Sequence, residues 1–339
     1  MQGADFEARF GELTGLCGPS GSGKSTLILD CLVPALCCEK PAGRWQTVFG
    51  GAESGARVVV VDASPLGRTP KSVPATAVGL LEPLRELFAR TPEARARGFT
   101  ASHFSFNSSR GRCPACEGRG SVQVEMQFLA DLWLTCEECD GKRYQPEVLA
   151  VPYRGRSIAD VLALPVDEAC EFLKDVPEIA RTLGVLRAVG LGYLGLGQSS
   201  TTLSAGEAQR VKLAAELTRA GGGPRSVVIL DEPTTGLARC DVVQLFGVLE
   251  RLVERGDAVL VIEHHVDLLG ACDWLVELGP GGGEAGGRVI AQGTPAELAR
   301  DPASVTGPWL ARVLGGTKSE PLPAAPKAAR RGGRKKVGT

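Results

Sequence analysis

The run Gly18-Pro19-Ser20-Gly21-Ser22-Gly23-Lys24-Ser25-Thr26 constrains the fold of this chain more than any other stretch. It follows an apolar, strand-like segment, Leu13–Leu16, and opens a segment with helical character, Ser25–Leu36. A glycine-rich loop between a strand and a helix lets backbone N–H groups curl round phosphate oxygens, while the helix N-terminus adds a favourable dipole. Gly18, Gly21, Gly23 and Thr26 belong to that cradle; Lys24 supplies a point charge for β- and γ-phosphates, and the Ser25 hydroxyl is a ligand for Mg²⁺. The rest of the pattern agrees with a mostly parallel, helix-covered sheet. Strands are expected at Val58–Val61, Ser226–Leu230, Ala258–Ile262 and Trp274–Leu278, and helices at Glu207–Leu217, Val242–Glu254 and Pro295–Arg300.

Two further strand ends carry chemistry. Val227-Val228-Ile229-Leu230 runs as a buried strand into Asp231 and Glu232, at the place where ligands collect in parallel sheets. Asp231 can reach a Mg²⁺ shell, and Glu232 is then placed to polarise an attacking water as general base. The strand Ala258–Ile262 ends in Glu263-His264-His265, and His264 can sense a γ-phosphate by hydrogen bonding. Ser204 followed by Glu207 is a helix capping box, and a Ser–Gly helix start is also a generic anion site.

The middle of the chain reads differently. Residues 101–145 are rich in Gly, Cys and Arg without helical periodicity, whereas 157–190 is helical, with periodic stretches from Val166 to Lys174 and Ile179 to Ala188. Cys113-x2-Cys116 and Cys136-x2-Cys139 have the two-knuckle spacing that gathers four thiolates round Zn²⁺. Four sulfurs leave no open coordination position, so such a zinc is structural. Arg110, Arg112, Lys142 and Arg143 flank the pairs, either as phosphate contacts or as a solvated basic rim. The other seven of the eleven cysteines read as small core or surface residues.

Composition excludes other classes. With 43% hydrophobic and 23% charged residues, the 339-residue chain has the makings of a globular core. No apolar run approaches the ~18 residues of a membrane helix, and no secretory pattern opens the sequence. Net charge is −1, but the segment from Lys318 to Thr339 holds seven basic residues and one acid, leaving the remainder at −7. That Pro/Ala/Gly-rich segment is expected to be disordered, either as a solubilising end or as a non-specific phosphate contact.

The phosphate loop, the four-cysteine insertion, Leu203-Ser204-Ala205-Gly206-Glu207-Ala208-Gln209-Arg210-Val211-Lys212-Leu213, Leu230-Asp231-Glu232-Pro233-Thr234-Thr235-Gly236-Leu237 and Ile262-Glu263-His264 follow one another in that order. With Ser64–Pro70, Phe104–Asn107 and Gly192–Leu194, they resemble the C-terminal half of the UvrA family, the damage-sensing ATPase subunits of the bacterial excision nuclease. The likeness runs from about Asp5 to Leu314. It implies an α/β fold: an ABC-type P-loop ATPase core with an inserted zinc-binding and helical signature domain. Residues 1–62 and 226–317 would form the ATP-binding core, 63–225 the signature domain with its zinc-binding insertion at about 101–145, and 318–339 a basic disordered tail. The resemblance implies that Lys24, Ser25, Asp231, Glu232 and His264 serve ATP and Mg²⁺. Ser204, Ala205, Gly206 and Glu207 would form the signature segment, which caps ATP held by the opposite module. It further implies double-stranded DNA as a partner met through the zinc insertion, work in DNA damage recognition, a cytoplasmic location, other excinuclease subunits as further partners, and no nuclease activity in the chain itself.

The chain departs from the family pattern in ways that bear on activity. One module is present, so a closed ATP sandwich needs a second copy or a complementary N-terminal ATPase half. Ala63 stands where a glutamine that contacts Mg²⁺ and water is expected, and Ala205 replaces the first signature glycine. Ala238-Arg239-Cys240 replaces a histidine followed by polar residues. These changes leave the nucleotide grip and fall on catalytic coupling, pointing to ATP binding with slow hydrolysis, or to a regulatory module that grips ATP and DNA and barely hydrolyses. A transporter ATPase would share the ATP motifs but not the four-cysteine insertion.

Overall fold

The computed structural model describes residues 5–37, 56–62, 64–67, 69–124, 132–219, 225–283 and 286–315. Ala63 and the basic tail, residues 318–339, lie outside them. Eight described strands form two sheets. The larger has the order β2 (Arg57–Val61), β5 (Ser226–Asp231), β6 (Ala258–Ile262), β1 (Leu13–Cys17), β7 (Trp274–Gly279), β8 (Arg288–Gly293). All its pairings are parallel except β7 with β8. The sequence pattern places the first five of these strands to within a residue at each end; β8, an antiparallel edge strand with mixed burial, gives no apolar run and escapes it.

Alternation along the strands explains why both faces are covered. Val228, Leu230, Val259, Val261 and Leu275 enter one apolar cluster, while Ile229, Leu260, Ile262, Val276 and Leu278 enter another. Successive side chains of a strand point to opposite faces, so both faces must be roofed. Leu27 and Ile28, from the helical stretch after the phosphate loop, roof the second cluster. That stretch is wound as a π-helix over Thr26–Leu32 and continues as α1 (Val33–Leu36).

The first face receives the long helices. Between β2 and β5 come α2 (Pro74–Ala77), α3 (Leu81–Ala89), α4 (Pro92–Ala96), α5 (Pro146–Leu149), α6 (Ile158–Ala163), α7 (Val166–Phe172), α8 (Pro177–Ala188) and α9 (Ala205–Thr218). After β5 come α10 (Arg239–Glu254), α11 (Val266–Gly270), α12 (Pro295–Leu298) and α13 (Gly307–Leu314). On α10, Leu245, Val248, Leu249 and Leu252 fall at i, i+3, i+4 and i+7 and are all buried. Each such side chain stabilises the fold by about 1.5–3 kcal/mol relative to an exposed one. No described helix is long and apolar enough to cross a membrane.

The insertion between α4 and α5 contains a two-stranded antiparallel sheet, β3 (Ser121–Val124) with β4 (Leu132–Thr135). Its base is rooted in the main core through Phe104, Phe106 and Tyr144, all at or below 1% exposure. The Tyr144 hydroxyl donates to the Phe104 carbonyl at 3.2 Å. Beyond that base, among the described residues of the hairpin, Val122, Trp133 and Leu134 are exposed.

Candidate nucleotide site and metal centre

At the C-terminal end of β1 the chain turns through Gly18, Gly21 and Gly23, at φ +131°, +76° and +95°. These left-handed values suit glycine alone. A Cβ on Gly18 would lie 2.0 Å from the Leu278 carbonyl oxygen of β7. The loop closes round Lys24, whose Nζ donates to the Gly18 and Pro19 carbonyls at 3.1 and 2.9 Å. Lys24 is 6% exposed. Burial pulls its pKa below the usual lysine value, against the attraction of Glu232, Cys17 and Asp231. An ammonium group held this way, among backbone carbonyls and short of a full counter-charge, suits a polyphosphate.

A second glycine-rich segment braces the loop from behind, and the sequence reading missed it. The N–H of Gly283 donates to Gly21 O at 3.1 Å, and that of Gly287 to Ser22 O at 2.9 Å. A Cβ on Gly282 would meet Ser20 O at 2.8 Å. The cluster Gly281-Gly282-Gly283 after β7 was the available signal: such a run is needed where one backbone approaches another this closely.

Across the sheet, β5 delivers Asp231 and Glu232. Burial and the neighbouring Glu232 raise the Asp231 pKa, while the Ser25 hydroxyl beside it and Lys24 pull it back. An acid unsettled by burial and by a like charge, with a serine hydroxyl hydrogen-bonded to it, is a donor set that a hard divalent cation would satisfy with oxygen ligands. Glu232 sits at φ +47°, a left-handed conformation costly for a non-glycine residue. Its Oε1 lies 3.6 Å from His264 Nε2, at the end of the adjacent strand β6. Glu232, Thr234, Thr235, Glu263, His264 and His265 line one cleft of about 280 Å³. Asp231, Glu232 and His264 thus stand at one end of neighbouring strands, with β6 pairing β1 and its phosphate loop on the other side.

The segment from Ser204 to Glu207 opens α9. Ser204 is its N-cap: the Glu207 N–H donates to Ser204 Oγ at 3.3 Å, and the Ser204 N–H to Glu207 Oε2 at 2.7 Å. The Tyr193 hydroxyl donates to Glu207 Oε1 at 2.8 Å. Burial opposes ionisation of Glu207, but the Ser204 N–H and the Tyr193 hydroxyl outweigh it and hold the carboxyl below the usual range. Ala205 is the first helical residue and lies outside the left-handed region, so its Cβ costs no backbone strain; its side chain is exposed on the helix start.

Further down α9, Gln209 (4% exposed) donates through Nε2 to the Asp231 carbonyl at 2.7 Å and the Val61 carbonyl at 3.2 Å. Lys212 Nζ lies 2.6 Å from both Asp62 Oδ1 and Ser64 Oγ. The helix that begins with Ser204 is therefore fastened to the backbone of Asp231 and to the end of β2. Sequence reading names the motif that holds Gln209 and Lys212 but not this linkage, because a buried amide's partner lies in another element.

In the insertion, all four thiol sulfurs of Cys113, Cys116, Cys136 and Cys139 lie within 4.8 Å of one another and are buried. Cys113 and Cys136 are 4.0 Å apart and Cys116 and Cys139 are 3.7 Å apart. A tetrahedron with Zn–S bonds of about 2.3 Å has edges of about 3.8 Å, so the set fits zinc. The two knuckles share one backbone path: Glu117, Gly118 and Gly120 after the first pair, and Asp140, Gly141 and Arg143 after the second, all have positive φ. The Gly120 N–H donates to Cys116 Sγ at 3.3 Å and the Arg143 N–H to Cys139 Sγ at 3.4 Å. Of the basic residues flanking the pairs, Arg110 and Lys142 are exposed, whereas Arg143 stacks over Phe106 at 5.3 Å and is spent on the base of the insertion.

A glycine-rich loop, an acidic strand end and a capped helix start on a parallel-dominated sheet, with a four-cysteine insertion between β2 and β5, define an α/β fold of the ABC-type P-loop class. No family model matches the chain. Its sequence is 51% identical over 308 residues to UvrABC system protein A of Thermus thermophilus, covering 89% of this chain and 32% of that protein. The corresponding protein of Streptomyces coelicolor is 48% identical over 337 residues, covering 97% of this chain and 33% of that one. The crystal structure of UvrA2 from Deinococcus radiodurans matches with a TM-score of 0.82 at 50% identity, over 90% of this chain and 37% of that one. The chain is therefore related to the UvrA proteins over nearly its whole length, and the match is consistent with their C-terminal half. It spans about one third of the length of the curated relatives it matches.

Proposed function

We propose that the chain is an ATP-binding and ATP-hydrolysing module of the UvrA type, acting in the cytoplasm on double-stranded DNA in damage recognition. The observation that supports this most is the meeting of Lys24, Asp231, Glu232 and His264 at one end of neighbouring strands. In this reading the glycine loop and Lys24 grip the β- and γ-phosphates of ATP. Ser25 and Asp231 would hold Mg²⁺, which offsets phosphate charge when bound. Glu232 takes the proton of the attacking water as its oxygen bonds the γ-phosphorus and the bond to the β–γ bridging oxygen breaks, giving ADP and phosphate. His264, beside Glu232, donates a hydrogen bond to the γ-phosphate.

Ser204, Ala205, Gly206 and Glu207 present a capped helix start to a nucleotide held by another module, either a second copy or a complementary N-terminal ATPase half. The core would comprise 1–62 and 226–317, with 63–225 as the signature domain. Cys113, Cys116, Cys136 and Cys139 hold a structural zinc that shapes the arm about 101–145, and Arg110 and Lys142 on that arm are free to meet DNA phosphates. Other excinuclease subunits are further partners. The chain carries out no strand cutting itself.

A second reading, an ATP-gripping module that hydrolyses poorly, draws on the methyl group of Ala205, which stands exposed where a glycine would let phosphate approach more closely. Turnover per chain, measured with duplex DNA across a hundredfold range of protein concentration, tests the shared site. It is expected to rise with concentration and level off as the sandwich fills. A constant turnover would refute completion of the site by another module, and ATP retention with no turnover at any concentration would favour the second reading.

A further inference from the structure

We propose that Glu263, at the end of β6, is the positioning residue that keeps Glu232 and His264 in register for hydrolysis; this rests on the ATP-hydrolysing reading above. Glu263 is 2% exposed, and both its carboxylate oxygens are fully used. Oε1 accepts the Thr234 N–H at 2.9 Å and the Thr234 hydroxyl at 2.6 Å. Oε2 accepts the N–H groups of His264 and His265 at 2.7 and 2.9 Å. One carboxylate therefore ties together the loop that leaves β5 and the loop that leaves β6.

Those two loops carry the two side chains of the proposed hydrolytic step. Glu232 is two residues before Thr234, and its own N–H donates to Ile262 O, the last carbonyl of β6, at 2.9 Å. The Thr235 N–H donates back to Glu232 O at 3.1 Å. A non-glycine residue at φ +47° persists only where its surroundings fix it from several sides. Glu263 closes that frame, and through the His264 N–H it sets the far side of the 3.6 Å gap between His264 and Glu232. A buried carboxylate is costly to desolvate unless hydrogen bonds satisfy it, and here four donors do so. An amide in its place has one acceptor oxygen, so its NH₂ must face either the Thr234 donors or the two histidine N–H groups.

The test uses the full chain. Amide hydrogen exchange at Thr234, His264 and His265 reads the clamp without nucleotide, and it is expected to be slow in the parent and at least about tenfold faster in Glu263→Gln. In steady-state kinetics Glu263→Gln is expected to lower kcat at least about tenfold while ATP affinity stays within about twofold, the split that marks a residue acting on the chemical step alone. Thr234→Val removes one hydroxyl donor and leaves the buried carboxylate in place, so it is the variant to use if Glu263→Gln fails to fold. Its kcat is expected to fall about threefold. Fast exchange in the parent, or an unchanged kcat in a folded Glu263→Gln chain, overturns the proposal. A parent that exchanges slowly at these amides yet never turns over ATP refutes the hydrolytic reading instead.

Discussion

Chelating the zinc proposed for Cys113, Cys116, Cys136 and Cys139 is expected to unfold the arm while leaving the candidate nucleotide site standing. Among the described residues the hairpin β3–β4 keeps Val122, Trp133 and Leu134 exposed, and above the aromatic base the buried cluster is that of the four sulfurs. Burial pushes the Cys139 thiol up to about 12, so without a metal that sulfur stays protonated at neutral pH. At Cys116 burial likewise opposes ionisation, but the N–H groups of Gly120 and Gly118 outweigh it and lower the pKa. Metal binding converts such a set to thiolates and contributes about 10–16 kcal/mol of apparent free energy in small zinc modules. Purified protein should therefore carry one zinc per chain. Chelation, or Cys116→Ser, should make the arm sensitive to protease and abolish DNA binding, with ATP retention kept. An arm that stays protease-resistant in chelator, with no metal found, would refute a zinc-held insertion.

Glu232→Gln separates binding from hydrolysis. The amide preserves side-chain size and can keep the contact with the Thr235 hydroxyl, 3.4 Å from Glu232 Oε2, but it cannot take a proton from water. If Glu232 is the general base, kcat should fall by about 10²–10⁴-fold with ATP affinity little changed. The left-handed backbone at this position remains, since glutamine pays the same conformational cost, so any change in rate belongs to the carboxylate. A Glu232→Gln chain that hydrolyses ATP within threefold of the parent would remove Glu232 from the chemistry.

What the sequence discloses of this molecule is what local chemistry dictates. The phosphate loop, the acid pair at the end of β5 and the two cysteine knuckles are each written in contiguous residues, and the apolar runs of β1, β5 and β6 follow from burial on both faces. What it conceals is pairing across elements. Glu263 was in view as the residue before His264, and a carboxylate ending an otherwise apolar buried strand signals that donors must surround it, but nothing local says those donors come from Thr234. The same holds for Gln209, whose amide reaches two carbonyls on different strands. The glycines at 282 and 286 are intelligible once Ser20 and Ser22 are seen against them. Short helices such as α2, α5 and α11 hold four or five residues each, too few to give a period.

On the proposed function, the loop from Gly18 to Thr26 grips a nucleotide. Equilibrium dialysis of labelled ATP with Mg²⁺ against the purified chain, in parallel with Lys24→Ala, tests it most directly. One ATP retained per chain is expected, with an affinity at least about a hundredfold weaker in Lys24→Ala, because a buried ammonium facing phosphate is worth several kcal/mol when its site excludes water. A parent chain that retains no ATP, or a Lys24→Ala chain that retains it equally well, would rule that grip out.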